Sequence, residues 1–194
     1  MTRLDIINRA LMKCGLPLAA SINDCDWNAS ITFEDCAAEV LRSFCWGFCQ
    51  RLVSLAPAQA PQCGFEKAWQ LPSDFLRMVD VRTSHDMRSP RCRSVRVVGN
   101  VIYTQCAPCY LRYISNSVEP EDWPPDFCDA VACRIACEIA PLSTQSMAIA
   151  PQLMQLYQLS LATAQATDSR ENAERVPRDI DIWSSRGGYE AKRG

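Results

Sequence analysis

Residues 127–140 constrain the fold more than any other segment of this chain. The only polar residues among them are Asp129, Arg134 and Glu138, and the other side chains are apolar. We interpret these three residues as one narrow polar stripe on an otherwise apolar helix. Such a helix needs neighbours on most of its sides, so the sequence predicts a central, buried helix over about 126–140.

Three further segments have helical periodicity and predict helices over about 2–14, 28–48 and 147–173. In the first, Gly15 and Pro17 follow the last apolar residue and end the helix. In the last, Pro151 is compatible with a helix only near the first turn. The apolar side chains of this last helix that we expect to face the core are Leu153, Leu156, Tyr157 and Leu161.

Between residues 51 and 115 the pattern changes to short runs of alternating residues separated by prolines, which predicts β-strands. The clearest hairpin joins VRVV (95–98) to VIYT (101–104). Gly99 and Asn100 lie between them, and this pair accepts the positive φ angles of a two-residue turn. A third strand, over 109–114, is expected to join the hairpin.

Together these elements predict a mainly α fold. We expect an antiparallel bundle of about four helices, a small antiparallel β-region inserted at about 51–115, and an extended C-terminal arm. The chain has 194 residues, of which 48% are hydrophobic, and this suffices for one core. The sequence therefore predicts one domain over 1–175 and a flexible arm over 176–194.

Composition narrows the possible partners and the compartment. The formal net charge is −2, which gives no global attraction to nucleic acid or to an anionic membrane. No segment approaches the roughly 20 apolar residues of a membrane span, and the charged N-terminus lacks the apolar core of a signal peptide. We therefore expect a soluble protein, made in the cytosol, whose twelve cysteines stay reduced.

The residues give little support for catalysis. His85 is the single histidine and lies in a polar segment, which indicates a solvated loop residue rather than a catalytic base. No glycine-rich phosphate-binding motif occurs. The sequence therefore predicts no catalytic residue, no metal ligand and no cofactor.

A zinc or thiol-redox protein stays open as an alternative. Cys106 and Cys109 have the spacing of a zinc knuckle or a redox pair. Two helical pairs could complete a zinc site, and these are Cys45 with Cys49, or Cys133 with Cys137. The competing interpretation, which we favour, is that these cysteines are small, buried structural residues.

A glycan hydrolase is the second alternative. Glu119, Glu121 and Asp122 could supply the paired carboxylates that such an enzyme uses. They directly precede a predicted helix, where carboxylates interact well with the helix dipole. We therefore favour a solvated loop at the start of a helix.

The one basic concentration lies in residues 77–96, where six arginines stand against two aspartates. Four of these arginines could contact DNA phosphates in a channel, or a neighbouring subunit. They are Arg88, Arg91, Arg93 and Arg96. The competing interpretation, which we favour, is a solvated face that only keeps the protein soluble.

The last residues contain apolar side chains that a solvated tail does not require. Pro177 prevents the preceding helix from continuing. Beyond it, Ile180 and Ile182 alternate with polar residues, a pattern that suits an extended segment added to a groove or a sheet edge. With Trp183 and Arg186, they predict a binding arm for another protein.

A series of short signatures runs through the chain in a fixed order. They are ALMKCG (10–15), LRSFCWGFC (41–49), RLVSL (51–55) before Pro57, GF (64–65), AWQLPSDFLR (68–77), the hairpin through Gly99, LRYI (111–114) and PDF (125–127). The series covers nearly the whole chain up to the arm. It resembles the head-to-tail adaptor, or tail tubular A type, proteins of short-tailed bacteriophages.

This resemblance implies a structural virion protein that is not an enzyme. It implies a ring of about twelve copies between the portal protein and the tail nozzle protein. Genomic DNA would pass through the hole without being read, and the C-terminal arm would lock the adaptor onto the portal. The expected location is the head-tail interface, after synthesis in the host cytoplasm, with no membrane partner. Some family members are associated with cell-wall hydrolysis, but no motif in this sequence implies that activity.

Overall fold

The computed structural model describes residues 1–24, 27–58, 64–86, 89–143 and 149–172. These residues form four α-helices, namely α1 (Arg3–Lys13), α2 (Trp27–Ser43), α3 (Pro125–Ser143) and α4 (Ala150–Glu171). Short 3-10 turns lie at Ile22–Asp24, Gly47–Cys49 and Pro120–Asp122. The described β-strands all lie between α2 and α3.

The strands form two three-stranded antiparallel sheets. The first sheet contains, in spatial order, β1 (Gln50–Ser54), β6 (Tyr110–Ser115) and β3 (Phe75–Arg82). The second contains β2 (Lys67–Gln70), β5 (Val101–Thr104) and β4 (Val95–Val98). Single bridges connect the sheets at two corners, where Pro57 pairs with Trp69 and Arg82 with Arg91.

The hairpin predicted around Gly99 is confirmed. Val98 pairs with Val101 across the two-residue turn, and Gly99 has a φ angle of +59°. The third strand, β6, does not join this hairpin as predicted, because it lies in the other sheet between β1 and β3. Both of its faces are buried, with Leu111 in one core and Ile114 in the other, so a central position suits it better than an edge.

The fold has two hydrophobic cores, one on each face of the first sheet. The helical core also includes Ile114 of β6, with Leu76 and Val79 of β3 packed against it. The second core draws on both sheets, and its side chains include Val81, Leu111, Tyr113, Trp69 and Ile102. The molecule is therefore layered: helices, first sheet, second sheet.

The predicted fold class, a helical bundle with a small β-region, is wrong. The structure is an α+β mixture, because two three-stranded sheets enclose a core of their own beside the helices. Alternating residues in 51–115 indicated strands, but they did not show that the strands stack face to face. That stacking gives the β-region between α2 and α3 a hydrophobic core of its own.

The burial predicted for the central helix is confirmed. The apolar side chains of residues 127–140 are at most 1% exposed, apart from Cys137, which is half-buried. α3 contacts α1, α2 and α4. The helix therefore has neighbours on most of its sides, as its sequence predicted.

The three polar residues of α3 do not form one stripe, contrary to the prediction. Asp129 contacts Lys13 of α1 and Ser160 of α4. Arg134 instead bonds Glu39 of α2 at 2.9 Å. Residues five positions apart are about 140° apart around a helix, so these side chains point to different neighbours.

α2 ends at Ser43, earlier than the predicted end at 48. Trp46 turns back into the core, and its Nε1 donates to the Val40 carbonyl at 2.9 Å. This bond satisfies one of the last carbonyls of the helix. A side chain at Gly47 would overlap the amide group of Asn172, so a larger residue there would have to displace the Asn172 side chain.

In α4 the prediction for Leu153 is confirmed and that for Leu156 is wrong. Leu153 is buried, and Tyr157 and Leu161 pack half-buried against the helical core. Leu156 is exposed. It lies about 60° around the helix from Leu153, beyond the stripe by which α4 contacts α3.

Candidate functional site

The structure separates Cys106 from Cys109. Cys106 forms a disulfide with Cys92, so the expectation that every thiol stays reduced is wrong for this pair. Cys109 lies in the second core, and burial raises its pKa to about 11. The segment before β4 and the loop after β5 lie side by side, which the spacing of cysteines along the chain does not reveal.

The cysteines of the two predicted helical pairs are buried or half-buried, and Cys45 and Cys49 lie beyond the end of α2 rather than on it. Burial raises the pKa of Cys49 to about 12 and that of Cys137 to about 11, and it also raises the pKa of Cys133. Such thiols stay protonated near neutral pH and are weak nucleophiles and metal ligands. In the part of the chain that the structure describes, no group of three or more His, Cys, Asp or Glu side chains could hold a metal ion.

The candidate catalytic groups lie at the surface. His85 is exposed after β3, with its ring edge-on to Tyr110 at 6.1 Å between centroids. Glu119, Glu121 and Asp122 are exposed around the 3-10 turn before α3. A glycosidase separates the roles of two carboxyl groups by giving them different environments, whereas these three side chains share an exposed one.

Arg82, Arg91 and Arg112 surround the carboxylate of Asp80. Its Oδ2 lies 2.9 Å from Arg112, 3.2 Å from Arg82 and 3.4 Å from Arg91. The side chains of Asp80 and Arg82 are 4% and 7% exposed. This cluster ties β3 to β6 and to the segment before β4. A carboxylate flanked by Val79 and Val81 within a strand was the sequence signal for such a buried ion pair.

The structure describes three of the four arginines predicted to contact DNA or a subunit, and their surroundings differ. Arg96, on β4, and Arg93, just before it, are exposed. Arg91 contacts Asp80, which the sequence did not predict. The predicted residues that lie outside the described part of the chain are Arg88 and the arm residues Ile180, Ile182, Trp183 and Arg186.

Asp74, in the loop before β3, accepts hydrogen bonds from Ser115 at 2.6 Å, Tyr113 at 2.9 Å and Ser117 at 3.3 Å. Burial opposes ionisation, but the hydrogen bonds from Ser115 and Tyr113 outweigh it, and the pKa of Asp74 is lowered. Burial and the bond to Asp74 raise the pKa of Tyr113 to about 12. The hydroxyl partners lie about 40 residues away in sequence, so only the fold reveals this network.

The lowered pKa makes the contribution of Asp74 to stability pH-dependent. It is present above the unfolded pKa of 3.8 and is lost as the pH falls through the lower folded value. We expect Asp74→Asn to lower the free energy of unfolding by about 1–3 kcal/mol at neutral pH. Urea unfolding should show this difference shrinking as the pH falls below about 3.8.

The exposed Asp122 gives the control, since Asp122→Asn should change stability by less than about 0.5 kcal/mol. A pH-independent difference for Asp74→Asn would contradict the assignment.

Two of the sequence signatures meet where α2, α3 and α4 converge. The rings of Trp46 and Phe48, in LRSFCWGFC, lie 5.0 and 4.9 Å from that of Phe127, in PDF. The backbone amide of Gly47 donates to Asp168 of α4 at 2.9 Å. Residues that the sequence grouped only by their order therefore form one packed junction.

A scan against models of known protein families finds no match to this chain, and a search of curated proteins finds no significant relative. Within the described residues, no helix has the length and apolar character to cross a membrane. The resemblance to phage adaptors therefore rests on the ordered signatures.

Proposed function

We propose that this protein is a structural subunit of a head-to-tail adaptor ring in a short-tailed phage. The observation that carries the proposal is that signatures far apart in sequence contact one another. LRSFCWGFC meets PDF through Trp46 and Phe127, and AWQLPSDFLR meets LRYI through Asp74 and Tyr113. The residues behind the resemblance thus contribute to the packing of the described fold, as a shared fold would require.

The surface of the described domain fits a structural role. Two exposed apolar side chains lie on one side of α4, where Leu156 is 37% and Leu159 is 67% exposed, while the exposed Met154 lies on another side. They lie about 60° apart around the helix. In the proposed ring they contact a neighbouring copy, since apolar side chains grouped at the surface are typical of interaction sites.

Arg93 and Arg96 fit a channel that DNA crosses without being read. Both are exposed, and arginines that contact phosphates position nucleic acid without sequence preference. In this proposal the domain faces DNA or a neighbouring subunit with these arginines, the arm binds the portal, and the nozzle attaches to the assembled ring. The ring forms outside any membrane.

The arm supplies the test of portal attachment. We expect the wild-type protein to be a monomer alone and to form a ring of about twelve copies on the portal of the same phage. Replacing Ile180, Ile182 and Trp183 together by serine should weaken this attachment at least about a hundredfold, because buried apolar anchors dominate interface energies. Native mass spectrometry of the mixtures measures the stoichiometry and the affinity.

A matched control changes three other residues of the same arm. The triple variant Ser184→Ala, Ser185→Ala and Lys192→Ala keeps the apolar anchors, so it should attach like the wild type. Circular dichroism checks that both variants are folded. Unchanged attachment by the triple serine variant would overturn the role of the arm. Failure of the wild-type protein to bind the portal would overturn the adaptor function.

A further inference from the structure

β4 presents an open backbone edge. It is the last strand of the second sheet and pairs with β5 alone among the described strands. Val98 and Val101 flank the two-residue turn and form a hydrogen-bonded pair, as do Arg96 and Tyr103 two positions further on. The backbone N–H and C=O groups of Val95 and Val97 therefore point away from β5, toward the edge.

The two faces of β4 differ in chemistry. Val95 packs against the second core, and Val97 lies on the same face because strand side chains alternate. Arg96 and Val98 lie on the outer face. Val97 is 37% and Val98 is 46% exposed. Open edges with exposed apolar residues are normally covered in soluble proteins, because they pair readily with other chains.

The C-terminal arm contains a segment with the matching alternation, Asp179-Ile180-Asp181-Ile182-Trp183. We propose that these residues add a strand to the second sheet along β4. Ile180 and Ile182 then continue the apolar face formed by Val95 and Val97, as in β-strand addition. Asp179 and Asp181 come to the outer face, where Arg96 supplies the opposite charge.

The occupant is the arm of the same chain. α4 ends at Glu171, and the next residue, Asn172, lies against Gly47 just before β1. The seven residues 173–179 reach at most about 24 Å. β4 lies beside β3 rather than β1, because Arg91 just before β4 bridges to Arg82 of β3. With strands about 4.8 Å apart and sheets about 10 Å apart, its outer edge lies roughly 18 Å from β1, within this reach. A tethered segment within reach has an effective concentration in the millimolar range, which favours it over the arm of a separate copy.

Docking on β4 protects the edge of the isolated subunit from pairing with other chains. It also holds the arm in place until a partner binds the arm. It is tested on the protein alone, so its failure leaves the proposed portal attachment untouched. The same apolar residues serve both contacts, so a portal would have to displace the arm from β4.

Hydrogen exchange of single backbone amides, followed by NMR on the full-length protein, tests the docking. The amides of Val95 and Val97 should exchange at least about tenfold more slowly in the wild type than in the variant Ile180→Ser/Ile182→Ser. Val97→Pro gives a second test. It removes an outward-pointing N–H without breaking the ladder to β5, and it should speed exchange at Val95 in the same way.

Reversing the charges on β4 and on the arm distinguishes docking from a general perturbation of the structure, because only docking predicts that the second reversal restores slow exchange. Arg96→Asp should speed exchange at Val95 and Val97, and adding Asp179→Arg and Asp181→Arg should restore slow exchange. Lys67→Asp is the matched control, because Lys67 lies on β2 at the opposite edge of the same sheet. It should leave hydrogen exchange at Val95 and Val97 slow. Equal exchange in the wild type and in Ile180→Ser/Ile182→Ser would overturn the docking. Slow exchange that depends on protein concentration would overturn the assignment to the same chain.

Discussion

Replacing Trp46 by alanine is expected to lower the free energy of unfolding by about 3–5 kcal/mol. The side chain is 1% exposed. Its ring lies 5.2 Å from Phe44 and 5.0 Å from Phe127, edge-on to both. Alanine would leave a large cavity where α2, α3 and α4 meet, and it would remove the hydrogen bond to the Val40 carbonyl. Chemical denaturation followed by circular dichroism measures the loss.

A conservative variant keeps the test valid if the alanine variant does not fold. Trp46→Phe retains an aromatic ring but loses the Nε1 donor, so a smaller loss of about 1–2 kcal/mol is expected. Leu159→Ala is the surface control, because Leu159 is well exposed, and it should change stability by less than about 0.5 kcal/mol. A loss below about 1 kcal/mol for Trp46→Ala would contradict the central role of this junction.

Replacing Asp80 by alanine is expected to be of similar severity, about 3–5 kcal/mol, for a different reason. Asp80 is the carboxylate that Arg82, Arg91 and Arg112 share. Arg82 is almost fully buried, so without Asp80 its charge would stay in the interior without this partner. The loss is therefore the penalty of a buried, uncompensated cation rather than of one missing contact. Thermal and urea unfolding measure it.

The double variant Asp80→Leu/Arg82→Met separates these two explanations. Replacing a buried ion pair by apolar residues of similar size is often neutral or stabilising, so the double variant should recover most of the loss. Arg91→Ala is the control, since its side chain is 66% exposed and exposed ion pairs contribute about 1 kcal/mol or less. A double variant as unstable as Asp80→Ala would show that the aspartate matters for another reason.

The sequence predicted the candidate binding surfaces only in part. The arginine concentration in 77–96 and the apolar alternation in the arm were visible as patterns. The structure assigns Arg82 and Arg91 to Asp80 and leaves Arg93 and Arg96 exposed. Both kinds of arginine look the same in the sequence, because the partner of a charge depends on which strands become neighbours.

Local patterns determined much of the fold. The burial of α3, the hairpin at Gly99 and the position of Pro151 in the first turn of α4 all follow from spacing within a few residues. Helical and strand periodicity, and the φ angles of a tight turn, are properties of short segments. The sequence by itself therefore placed these elements along the chain, and it identified the alternating residues of the β-region as strands.

Only the tertiary structure decided how these elements pair. It placed β6 between β1 and β3, joined Cys92 to Cys106, and set Asp129 against α1 and α4 while Arg134 faces α2. The end of α2 at Ser43 is also a tertiary effect, because Trp46 packs against Phe127, some eighty residues further along the chain. Such contacts depend on which distant segments pack together. Periodicity within one segment can show that a face is buried, but it does not show which segment covers that face.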